Sequence, residues 1–74
     1  MIIKKGTILF VHDPRKGRYE AEALRDFDTE KEEFYPVTPL RTVVGMVNIW
    51  EHGDEIPCRK GLATIKVKDG KAHD

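Results

Sequence analysis

The chain has one cysteine, Cys58, in 74 residues. A single thiol can neither staple a fold nor build a thiolate metal cluster, so a disulfide scaffold is excluded and a reducing, cytoplasmic setting is expected. Long apolar runs are missing too. No stretch approaches the roughly 20 apolar residues that cross a bilayer. The segment MIIKKGTILFVHD follows two lysines with a short apolar run, but lacks the length and cleavage site of a signal peptide. No membrane partner is expected. Net charge is absent: 13 bases balance 13 acids at pH 7, so bulk charge drives the chain toward neither nucleic acid nor membrane. Also absent are a glycine-rich phosphate loop, a Gly-x-Ser-x-Gly elbow and a dinucleotide fingerprint. No cofactor and no metal are expected.

What is present fits one small domain over residues 1–67, with a frayed tail over 68–74. A chain this short hides only about 60% of the surface its unfolded form exposes, and six aromatics are enough to seed its core. Thr7-Ile8-Leu9-Phe10-Val11-His12 is a β-rich run closed by Asp13-Pro14, and the loop to Arg18 carries proline and glycine where a turn needs them. Pro36 and Pro39 withdraw two backbone donors, which makes 35–40 an edge strand or a polyproline-like crossing. TVVGMVNIW, residues 42–50, reads as the strongest strand, its Gly45 marking a bulge or sharp bend. His52-Gly53-Asp54 and Arg59-Lys60-Gly61 are turns. Residues 62–67 close the set, with Ala63, Ile65 and Val67 on one face.

The stretch RKGRYEAEALRDFD, residues 15–28, is contested. Ala, Glu, Leu and Arg favour a helix, in which Tyr19, Ala23, Leu24 and Phe27 would form the apolar stripe. The alternation of Tyr19, Ala21 and Ala23 with Glu20 and Glu22 favours a strand. A helix of about nine residues is marginal without a broad packing face, and strands separated by short turns flank it on both sides. The strand reading therefore predicts a mainly β protein, a small five-stranded barrel. A helix over 18–27 would make it α+β instead.

Gly6-Thr7, Val11, the run Gly17 to Leu24, Phe27-Asp28 and Tyr35-Pro36-Val37 follow one another with the spacing of a known pattern. Over residues 5–37 it resembles the first half of Tudor-type Src-homology-3-like barrels. The resemblance implies a barrel of that kind. The second half of the chain lacks the aromatics that would complete a methyl-ligand cage.

Candidate chemistry is sparse. His12, His52 and Cys58 do not have the spacing of a zinc site. Asp13, Glu51, Asp54 and Glu55 fall at strand ends, with nothing to pair two of them as acid and base. Residues 20–33 hold seven acids against two bases, so the remainder carries the compensating positive charge. The leading expectation is a non-catalytic module that binds a protein partner or a second copy through Trp50, Tyr19, Tyr35 and Phe34. Arg15, Lys16 and Arg18 would add charge complementarity. The alternative is nucleic-acid binding through Arg15, Lys16, Arg18, Arg59 and Lys60. A weaker one is an enzyme whose site forms only in an oligomer.

Overall fold

The contested stretch is a strand. Gly17–Ala23 runs antiparallel to Ile8–Asp13, with Val11 opposite Tyr19 and Leu9 opposite Ala21. Tertiary pairing overrides helix propensity here, because the alternation places Ala21 and Ala23 in the core and leaves Glu20 and Glu22 half-exposed. Gly17 closes the turn with φ 86°, a left-handed conformation that a side chain would strain.

The computed structural model describes residues 1–69. Eight short strands follow in order: β1 (Ile2–Ile3), β2 (Ile8–Asp13), β3 (Gly17–Ala23), β4 (Phe27–Asp28), β5 (Val37–Pro39), β6 (Val43–Val44), β7 (Ile49–Trp50) and β8 (Thr64–Asp69). There is no helix among the described residues. The principal sheet has the order β5-β3-β2-β8, all antiparallel. β1 pairs with β4, and β6 pairs with β7. Lys68 and Asp69 belong to β8 rather than to a tail. The rest of the expected frayed segment, and His73 with it, lies outside the described residues.

The sheets do not close into a barrel, and eight strands replace the expected five. The reason lies in β5. Three residues long and bounded by Pro36 and Pro39, it offers few donors on its outer side. Residues 33–37 meet 56–60 only through single links. Ile56 N–H donates to Val37, Tyr35 N–H to Cys58 and Lys60 N–H to Glu33, at 3.0, 2.8 and 2.8 Å. No ladder joins β5 to β8.

Ile3, Leu9, Val11, Val37, Ile56 and Cys58 are fully or almost fully buried and form the centre of the core. Phe27 and Tyr35 stack at its side with ring centroids 5.1 Å apart. Tyr35 donates its hydroxyl to the Thr29 carbonyl at 2.8 Å, which satisfies the polar end of a buried ring. No helix among the described residues is long and apolar enough to cross a membrane.

Residues 42–50 are not one strand. β6 and β7 fold back on each other with Val43 opposite Trp50 and Val44 opposite Ile49. Gly45 N–H donates to the Asn48 carbonyl at 2.8 Å, which leaves Met46 and Val47 as the tip. The hairpin pairs with no other strand among the described residues. It leans on the core by its inner side alone, where Val43 is buried and the half-buried Trp50 packs against the cluster.

Candidate functional site

A hairpin of this composition has two faces with different fates. Strand alternation sends Val43 and Trp50 inward and Val44 and Ile49 outward. Val44 and Ile49 are 69% and 63% exposed, and the tip residues Met46 and Val47 are 96% and 90% exposed. Four large apolar side chains thus stand in water within six residues, and no charged residue falls between positions 42 and 50. Scattered apolar residues on a surface are ordinary, whereas these four lie within one hairpin.

The base of the hairpin is clamped. The Trp50 ring lies beneath the Lys16 ammonium, 5.4 Å from its centroid. Lys16 is itself held by the Asp13 carboxylate at 3.0 Å, with both side chains largely buried. Asp13 also accepts from the Arg15 and Lys16 backbone N–H groups at 2.7 and 3.2 Å. Burial pushes the Asp13 carboxyl up, but these hydrogen bonds and the neighbouring ammonium outweigh it and hold its pKa below the ordinary 3.8. Gly45 completes the fit: a Cβ there would meet the Trp50 ring at 2.7 Å.

Beside the hairpin runs an open groove between β3 and residues 40–44. It is lined by Lys16, Arg18, Tyr19, Glu20, Leu40, Arg41, Thr42, Val43 and Val44. Glu20 is neutralised by Lys68 at 2.6 Å, and Lys16 by Asp13. Arg18 and Arg41 are exposed and have no ion-pair partner among the described residues.

The four aromatics expected on one contact face are not together. Tyr35 is 6% exposed and serves the core, which corrects its assignment as a contact residue. Tyr19 and Trp50 are half-buried and pack against the core. Phe34 is 54% exposed, but belongs to the 33–37 segment and lies under the Arg59 guanidinium, 5.8 Å from its centroid. The basic residues are divided as well. Arg59 pairs with Glu33 at 3.2 Å, and Lys60 donates to the Glu30 carbonyl. The acidic lobe is largely spent inside the chain, where Asp26 meets Lys4, Glu32 meets Arg25 and Glu30 meets the N-terminal amine.

The remaining candidates are dispersed. Cys58 is buried, and burial with the nearby Asp13 charge pushes its thiol pKa up to about 11. His12 is exposed on β2, and His52 donates Nδ1–H to the Pro39 carbonyl at 2.9 Å. Asp54 accepts from the Glu51 N–H at 2.9 Å and shapes a turn. No group of three His, Cys, Asp or Glu among the described residues is placed to hold a metal ion.

The hairpin tip and Arg41 were not among the expected contact residues. Gly45 and Asn48, spaced to open and close a tip inside one apolar run, are the signal that points to them. No known protein family, curated protein or solved structure matches this chain.

Proposed function

We propose that this chain is a non-catalytic protein-docking domain of the cytoplasm whose contact element is the β6–β7 hairpin. The observation that carries this reading is the exposure of Val44, Met46, Val47 and Ile49 on a hairpin clamped only at its base. Burying one such side chain in an interface is worth about 1.5 to 3 kcal/mol, so the set has enough driving force for specific association. The occupant is a partner protein. Over residues 5–37 the framework that presents the hairpin resembles Src-homology-3-like domains.

The test is photo-crosslinking in the cell that makes the chain, with benzoylphenylalanine in place of Met46 and, separately, of Lys31. Lys31 is exposed, lies in the turn after β4 and serves as the control. A discrete protein adduct from position 46 and none from 31 supports the reading. An adduct of twice the chain mass transfers the role to a second copy. No adduct from 46, or the same adducts from both positions, overturns it.

A further inference from the structure

If the hairpin is the docking element, the groove beside it indicates the chemistry of the partner. We infer that the partner presents an extended acidic segment whose carboxylates meet Arg18 and Arg41, and an adjoining apolar side chain that covers Val44 and the Met46–Val47 tip. The inference rests on the docking reading and adds the charge and shape of what docks.

Three observations converge on it. Arg18 and Arg41 line one groove and are the two cations there without an ion-pair partner among the described residues, because Lys16 is held by Asp13 and Glu20 by Lys68. A guanidinium offers a planar fork of donors that matches a carboxylate, so two unengaged guanidiniums in one groove select acids. The same groove is walled by Val43 and Val44 of β6, the strand that leads to the apolar tip. Charged and apolar recognition therefore lie side by side, as they do along an extended peptide whose side chains alternate in direction. The groove measures about 580 Å³ and is open to solvent, which suits a chain laid across it better than an enclosed small molecule.

The experiment is selection from a displayed library of random peptides against the intact chain. Selection is repeated against Arg18→Glu/Arg41→Glu and against Met46→Asp/Val47→Asp. Circular dichroism and an unfolding curve establish that both variants fold. The wild type is expected to enrich peptides with Asp or Glu next to large apolar residues. Their affinity should fall on the order of tenfold in the charge-reversed variant and weaken with added salt. The tip variant should lose them. Enrichment that needs the tip but shows no acidic bias overturns this inference and leaves the docking reading standing. No enrichment that depends on the tip counts against both. Tip-dependent sedimentation with phosphatidylglycerol vesicles, without peptide enrichment, replaces the protein segment by an anionic lipid surface and overturns the inference.

Discussion

Replacing Asp13 by Ala should be the most damaging single polar change in this chain. Asp13 is 4% exposed, and its carboxylate accepts from two backbone N–H groups and from the Lys16 ammonium. Truncation strands all three donors. A buried N–H without a partner costs about 1 to 3 kcal/mol, and breaking a largely buried ion pair costs about 3 to 5 kcal/mol. These share one acceptor and do not add, so the expected loss is about 3 to 5 kcal/mol. At about 0.05 to 0.15 kcal/mol per residue, a 74-residue chain has about 4 to 11 kcal/mol in all. The variant should therefore be near the edge of folding. Asp13→Asn keeps an acceptor for the backbone and loses only the charge, so it should fall between the two. Urea titration followed by Trp50 fluorescence reads all three chains. A loss below about 1 kcal/mol for the alanine variant would show that Asp13 behaves as a member of an exposed pair. The pH dependence gives an independent reading. The folded Asp13 pKa is lowered from 3.8. Its contribution is therefore complete above the unfolded value and is lost as pH falls through the folded one. Asp13→Asn should flatten the part of the acid limb that lies below about pH 4.

Other consequences are separable. Gly45→Ala drives a Cβ to 2.7 Å from the Trp50 ring and should cost about 1 to 3 kcal/mol, with the Trp50 emission shifted; an unchanged unfolding midpoint and emission would show that the ring is free to move. Met46→Ser/Val47→Ser removes exposed side chains only, so its unfolding midpoint should change by no more than about 0.5 kcal/mol equivalent; a larger loss would make the tip part of the core. Cys58 should resist iodoacetamide in the native protein at pH 8 and react on unfolding, since its buried thiol has a pKa pushed up to about 11; rapid native labelling would contradict its burial. Tyr35→Phe loses the hydrogen bond to the Thr29 carbonyl and should cost about 0.5 to 1.5 kcal/mol in urea titration, with the Phe27 stack retained.

The mainly β class could be read from period-2 alternation at two places. Tyr19, Ala21 and Ala23 sit inward where that alternation puts them, and so do Ala63, Ile65 and Val67 ahead of and along β8. Closure could not be read, because it depends on whether β5 finds a partner on its outer side, and single links to 56–60 answer that only in three dimensions. Residues 42–50 misled for a definite reason: a run of valine, methionine and isoleucine normally indicates a buried strand, and here the outer half of it is exposed. A local pattern records that residues are apolar and says nothing of what covers them. The split of the aromatics was hidden likewise, since Phe34 and Tyr35 are adjacent in sequence but face opposite environments on an extended chain.

The β6–β7 hairpin and the arginine groove at its side are proposed to act as one contact surface. The measurement that addresses this most directly is an amide chemical-shift map of nitrogen-15-labelled protein titrated with the tightest peptide from the selection. Shifts are expected to concentrate at residues 43–50 and at Arg18 and Arg41. Shifts confined to the exposed side of β2 and β8 around Phe10 and Lys66, or to the Phe34–Arg59 link, would contradict the proposal.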